Sequence, residues 1–123
     1  MKIVELAFSG YPVTDIEPAR AFYEGLLKLE PARIIGNPDA QWIEYELGAS
    51  TFAISNMSKE AWKPSSDGPA VAFEVDDFDS SVTELRASNV KFVHEPFESP
   101  VCRMAIVADP DGNSIVIHKR HVP

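Results

Sequence analysis

A histidine closing a run of strand-forming residues, Ser114-Ile115-Val116-Ile117-His118, is the side chain best suited to proton transfer, because imidazole titrates near neutrality. Alternate residues of a strand share a face, so His118 lies on the side of Val116. There it is a general base, a proton donor or a lone metal ligand, or else a hydrogen-bonded residue near the end of the strand. The single cysteine, Cys102, stands beside Arg103. A thiol next to a guanidinium is a candidate nucleophile or redox group, whereas a free cysteine in a strand is also a common small core residue. Arg103 has the planar fork that recognises carboxylate or phosphate. Alternation puts Cys102 and Arg103 on opposite faces, so at most one of them shares the face of a ligand. His94 next to Glu95-Pro96, and His121 in Lys119-Arg120-His121, read as solvated surface residues.

A second constellation is aromatic. Trp42, Glu44 and Glu46 alternate with Ile43, Tyr45 and Leu47. The uncharged set predicts the face that meets a helix, which leaves Trp42 and Glu44 on the other face. An indole with a neighbouring carboxylate, joined by Phe8, Phe97 or Trp62, suits a flat or cationic organic molecule through stacking and charge. The alternative for Trp42 is packing at a dimer seam.

The elements that must position these groups occur twice. Val13 and Asp15 map onto Val75 and Asp77 at an offset of about 62 residues, and Thr51-Phe52-Ala53-Ile54-Ser55 overlies Ser114-Ile115-Val116-Ile117-His118 at nearly the same offset. Each Asp stands where an N-cap would accept hydrogen bonds from the first helical turn. Periodicity predicts strand 3–12, helix 16–28 and strands 32–36, 41–47 and 50–56, then strand 70–75, helix 78–88 and strands 91–94, 102–108 and 114–119. Asp109-Pro110-Asp111-Gly112-Asn113 reads as a hairpin turn, with Gly48-Ala49-Ser50 as its counterpart. The expected fold is α+β: two βαβββ modules in one chain, each with a helix outside a mixed four-stranded sheet, curled together into a cup. The chain is read as one domain over 1–123, with module one at 1–56, a Pro- and Ser-bearing linker at 57–69 and module two at 70–123.

Composition narrows the partners. With 45% hydrophobic residues in 123, the chain can bury a core without staples. A formal charge of −8 opposes non-specific attraction to nucleic acid or anionic membrane. One cysteine excludes an intramolecular disulfide. No apolar run approaches the roughly 20 residues of a membrane span, and the N-terminus, Met1-Lys2-Ile3-Val4-Glu5-Leu6, reads as a first strand rather than a signal peptide. A cytoplasmic protein is expected.

The segments Tyr11-Pro-Val-Thr-Asp-Ile-Glu-Pro-Ala-Arg-Ala-Phe-Tyr-Glu-Gly-Leu-Leu, Val71-Ala-Phe-Glu-Val-Asp-Asp-Phe-Asp and Asp109-Pro-Asp-Gly-Asn-Ser-Ile-Val-Ile-His resemble the vicinal oxygen chelate superfamily, which includes glyoxalase I, bleomycin-resistance proteins and extradiol dioxygenases. The resemblance implies the cup-shaped fold, frequent two-fold dimers and, in the family's enzymes, a divalent metal held by His and Glu from the first and last strands of each module. The matching positions here are Phe8, Ala53, Ala70 and Val116, all apolar. None offers the N, O or S donor that a divalent metal needs. No metal or other cofactor is therefore expected, a displaced metal site being the disfavoured option. Three readings follow. One is a metal-independent homodimer binding a small aromatic or cationic molecule through Phe8, Trp42, Glu44, Trp62, Ala70, Phe97, Arg103, Val116 and His118. Another is a lyase, isomerase or dioxygenase-like enzyme using His118, Cys102, Glu44 or a displaced metal. The third is an interaction module whose sheets serve a protein partner.

Overall fold

The computed structural model describes residues 1–121, which fall into two compact units, Met1–Pro64 and Ser65 onward. The first contains β1 (Ser9–Pro12), α1 (Ile16–Arg20), β2 (Pro31–Asn37), β3 (Ala40–Leu47) and β4 (Ser50–Ser55); the second contains β5 (Val71–Glu74), α2 (Phe78–Ala87), β6 (Phe92–Glu98), β7 (Cys102–Ala108) and β8 (Ser114–Arg120). The two sheets have equivalent strand orders, β1-β4-β3-β2 and β5-β8-β7-β6. In both, the first strand runs parallel to the last and the other pairs are antiparallel. The duplication seen in the sequence is thus a duplication of topology. No helix among the described residues is long and apolar enough to cross a membrane.

In the first unit, Ile43, Tyr45, Phe52 and Ile54 are buried together with Ile16, Ala19, Phe22 and Tyr23 of the helical segment. The Phe52 ring lies 5.4 Å from that of Tyr23, 5.8 Å from Tyr11 and 6.0 Å from Tyr45. Each such aromatic pair adds about 1 kcal/mol beyond the area it buries. The hydroxyl of Tyr45 donates to Glu24 Oε2 (2.8 Å), and Arg20 clamps the same carboxylate through Nε (2.7 Å) and Nη2 (3.0 Å). Burial, then the bond to Glu24, pushes the Tyr45 hydroxyl far above its usual range, so it stays protonated and donating. In the second unit, Phe78 and Leu85 of α2 are buried with Ala105, Val107, Ile115 and Ile117.

Four expectations need correction. The first strand begins at Ser9, not residue 3: residues 1–8 belong to no strand, and Ile3, Val4 and Leu6 are exposed. The first helix is α-helical only to Arg20 and then widens into a π-type turn over Ala21–Leu26, where Leu27 N–H reaches back to Phe22 O (2.9 Å). Asp77 caps α2 by accepting from Ser80 N–H (3.1 Å), but the Asp15 side chain makes no capping bond. The residue three beyond Asp15 is Pro18, which has no N–H to donate. Finally, β6 runs to Glu98 rather than 94, carrying Phe97 and His94 within a strand, with register shifts flanking His94.

Both hairpin turns form. Asp109 Oδ1 accepts from the N–H groups of Asp111 and Asn113 (both 2.9 Å), Oδ2 accepts from Asn113 Nδ2 (2.8 Å), and Gly112 supplies φ +88°. Asn113 Oδ1 also accepts from Ser65 N–H (3.2 Å), which ties the start of the second unit to this turn.

Candidate functional site

The face of each sheet opposite its helix carries Trp42 and Glu44 in the first unit and Glu74 and His118 in the second, and the pairing register allows the two faces to be compared row by row. In the first unit one row reads Pro12, Ser55, Trp42, Ile35, and the next reads Gly10, Ala53, Glu44, Arg33. In the second unit the equivalent rows read Glu74, His118, Met104, Phe97 and Ala72, Val116, Ile106, His94.

On the first face, Trp42 is the hub. Its Nε1–H donates to Glu44 Oε2 (2.9 Å), Trp62 stacks on it at 6.4 Å and 30°, and Phe8 meets it edge-on at 5.1 Å and 87°. Residues i and i+2 of a strand point the same way, which is why Glu44 reaches the indole N–H. Trp62 arrives from a turn after β4 in which the N–H groups of Ala61 and Trp62 donate to Ser58 O (3.0 and 2.8 Å). Phe8 reaches Trp42 from just outside β1, with 49% of its surface exposed. Phe8, Glu44 and Trp62 are thus all in contact with Trp42. Ser55 takes no part in it: its hydroxyl donates to Gln41 O (2.9 Å) and accepts from Met57 N–H (3.0 Å). An open groove of about 470 Å³ lies nearby in the chain, between Asp39, Ala40, Asn56 and the 57–61 segment; neither tryptophan lines it.

On the second face, Nδ1 of His118 pairs with Glu74 Oε1 at 2.5 Å, and Glu74 Oε2 accepts the backbone N–H of Arg120 at 2.7 Å. The Arg120 N–H first, and His118 second, hold the Glu74 carboxyl below the usual glutamate range. Sequence reasoning found His118 and missed Glu74, whose partner lies 44 residues away across a parallel strand pair. Val116 and Phe97 share this face with His118, and His94 joins them with its ring 6.3 Å from that of Phe97. Ala70 precedes β5 and is exposed.

Two expected site residues are placed elsewhere. Arg103 lies on the α2 side of its sheet: Nη2 donates to Asp79 Oδ1 (2.9 Å), Nε approaches Glu98 (3.5 Å), and the guanidinium stacks 4.5 Å above Phe78. The bond to Asp79 chiefly raises its pKa. Its fork pairs with Asp79 and Glu98 on the helix side of the sheet, away from the face that carries His118. Cys102 alternates to the opposite face but is only 4% exposed, with Sγ 3.2 Å from Ser99 Oγ in a tight Ser99–Cys102 turn. This placement fits the reading of Cys102 as a small core residue.

The four positions that the resemblance sets against the family's metal ligands carry side chains that do not suit a metal. The pairings Gly10 with Ala53 and Ala72 with Val116 put the last-strand positions at equivalent places in the two sheets, and the first-strand positions Phe8 and Ala70 fall two residues before Gly10 and Ala72. Their side chains carry no donor atom. Among the described residues no group of three or more His, Cys, Asp or Glu side chains is disposed to hold a metal ion.

Comparison with known structures returns the same architecture. An antibiotic binding protein from Streptomyces sp. CB03234, TnmS3, superposes with a TM-score of 0.78 at 21% identity, covering 98% of this chain and 99% of that one. A glyoxalase family protein from Enterococcus faecalis gives 0.72 at 18% identity over 93% and 96%. The trypanothione-dependent glyoxalase I of Leishmania major gives 0.75 at 21% over 95% and 87%. At these identities the likeness is one of fold. No curated protein sequence matches the chain. The family model described as Glyoxalase/Bleomycin resistance protein/Dioxygenase superfamily matches residues 2–117, nearly the whole chain, and with the duplicated sheets it establishes that the protein belongs to that superfamily.

Proposed function

We propose that this protein binds a flat, cationic aromatic molecule on Trp42, without a metal ion. The observation that carries the reading is the Trp42–Glu44 hydrogen bond with Trp62 and Phe8 against the same indole. Glu44 fixes the ring plane and brings a negative charge beside it, and the two pyrrole-bearing rings offer π surface to a cation. The overall charge of −8 favours such a ligand at long range. A relative of the same fold is described as an antibiotic binding protein, which is consistent with small-molecule capture. The apolar side chains at Phe8, Ala53, Ala70 and Val116 support metal independence. We also read the protein as a cytoplasmic homodimer: Ile3, Val4 and Leu6 are exposed on a segment with no strand partner in its own unit, and pairing with a second copy would bury them.

Native mass spectrometry reads metal content, bound ligand and subunit number in one spectrum; a stoichiometric divalent metal would overturn metal independence, and a monomer at micromolar concentration would overturn the dimer. Binding itself is measured by tryptophan fluorescence with proflavine as the cationic probe and 2-naphthalenesulfonate as the anionic control. Proflavine is expected to bind in preference to the sulfonate. Trp42→Leu should weaken it about tenfold, or about 1.4 kcal/mol. Glu44→Gln, which can still accept the indole N–H, should weaken it about threefold in low salt and less in high salt. Equal affinity for the two probes would refute the reading.

A further inference from the structure

The second sheet carries a group that binding on Trp42 does not use. Among the described residues the His118 ring makes one polar contact, from Nδ1 to Glu74. Glu74 is itself fixed from behind, since Oε2 accepts the Arg120 N–H at 2.7 Å. A carboxylate can only accept, so the neutral imidazole must carry its proton on Nδ1, and Nε2 is left with a lone pair. A backbone N–H, a carboxylate and an imidazole in series are the parts that orient a general base in hydrolases of unrelated fold. The row continues from His118 to Met104 and Phe97, and Val116 and Ile106 lie in the next row. Phe97 is 42% exposed and the His118 side chain 22%, so neither ring is fully buried. The other ionisable groups of this face are His94, beside Phe97, Arg120, two residues beyond His118, and the buried Cys102 paired with Arg120.

The geometry points to a second site on β8, in which Glu74 positions His118 so that Nε2 takes the proton of a hydroxyl-bearing ligand whose apolar ring rests on Met104 and Phe97. The ligand class follows from the atoms. An unprotonated Nε2 requires a donor, and the surrounding thioether, phenyl and aliphatic groups require an apolar body, so a phenol or enol fits and a carboxylate does not. In the transfer the O–H bond breaks, the N–H bond forms on Nε2, and the electron pair stays on the ligand oxygen. The resulting imidazolium is paired with the Glu74 carboxylate, and the reverse transfer restores the starting state. Glu74 is a positioning residue here, and His118 is the group that touches the ligand. This site stands on different residues from the tryptophan platform.

The test uses the full chain in a Trp42→Leu background, so that failure of the tryptophan platform cannot be mistaken for failure here. Nitrogen-15 NMR of the His118 ring should show the neutral form protonated on Nδ1. In Glu74→Gln the Arg120 N–H holds the amide oxygen, the amide NH₂ faces Nδ1, and the ring proton should move to Nε2. With p-nitrophenol as the probe, at a pH where it is mostly protonated when free, the protein should raise the phenolate absorbance band. Glu74→Gln should abolish that increase while leaving the far-UV circular dichroism spectrum unchanged, and His118→Phe should abolish it too. A ring proton on Nε2 in the parent, the same tautomer in parent and Glu74→Gln, or no phenolate band with the parent protein would each overturn the proposal.

Discussion

The two modules share one strand order, and their three inner strands pair in matching register, yet they have opposite chemistry at equivalent points. Where the first has Pro12, Ser55 and Trp42, the second has Glu74, His118 and Met104; where the first has Glu44 and Arg33, the second has Ile106 and His94. The first places π surface beside a negative charge, whereas the second places an oriented imidazole beside aliphatic groups. Duplication supplied two scaffolds with the same strand order, and side-chain replacement along single rows was enough to make their faces dissimilar. The backbone records the divergence as well. At the point where Ala72 pairs with Val116, the first module has Gly10 against Ala53, and a Cβ on Gly10 would meet the Ala53 carbonyl oxygen at 2.6 Å.

That backbone difference sets the largest expected asymmetry. Gly10→Ala should destabilise the protein by about 3 kcal/mol, because the contact is with backbone and cannot be relieved by a rotamer change. The mirror substitution, Ala72→Gly, should cost about 1 kcal/mol, from the added chain entropy of glycine in a strand. Urea unfolding measures both, and equal costs would mean that the sheets are closer copies than the 2.6 Å approach implies.

The helix ends give a smaller contrast. Lys28 and Asn89 occupy corresponding positions and both have left-handed φ, +64° and +58°. Asn tolerates that conformation, while Lys is strained by its Cβ. Lys28→Gly should therefore raise stability by about 1 kcal/mol, and Asn89→Gly by clearly less, as read from thermal melting midpoints.

The smallest effect is in pH dependence. The Glu74 carboxyl is held below its ordinary value, chiefly by the Arg120 N–H and then by His118, so it stabilises the fold above the unfolded glutamate range and that contribution fades as pH falls through the lowered value. Thermal melts of Glu74→Gln and the parent should differ at neutral pH and converge on acidification. The difference should be modest, because the Glu74 side chain is 37% exposed. Its counterpart Pro12 has nothing to titrate, so Pro12→Ala should show no such convergence.

Much of the first site was legible in the sequence because it is built from short-range rules. Charge alternating with apolar residues over Trp42–Leu47 identified the face, and i to i+2 spacing brought Glu44 to the indole. The Asp109–Asn113 turn was legible for the same reason: its bonds close within five residues. What escaped was set by pairing at long range. Glu74 meets His118 only through the parallel register of β5 with β8, which no local pattern encodes. The irregular end of β6 depends on register shifts about His94 that let the strand pass Pro96. The absent cap at Asp15 was local and readable, since Pro18 removes the donor, whereas the π-type turn that follows reflects packing of Phe22 and Tyr23 beneath the sheet.

The buried thiol of Cys102 has a practical consequence. It is the one sulfhydryl in the chain, closed within the Ser99–Cys102 turn where the antiparallel pair of β6 and β7 begins. An alkylating reagent can reach it only when that hairpin opens, so the rate of labelling counts local opening events without any engineered probe. In fast reclosure the rate reports the population of the open form, and in excess reagent it reports the opening rate itself. The molecule therefore carries a clock for the breathing of its second sheet and none for its first.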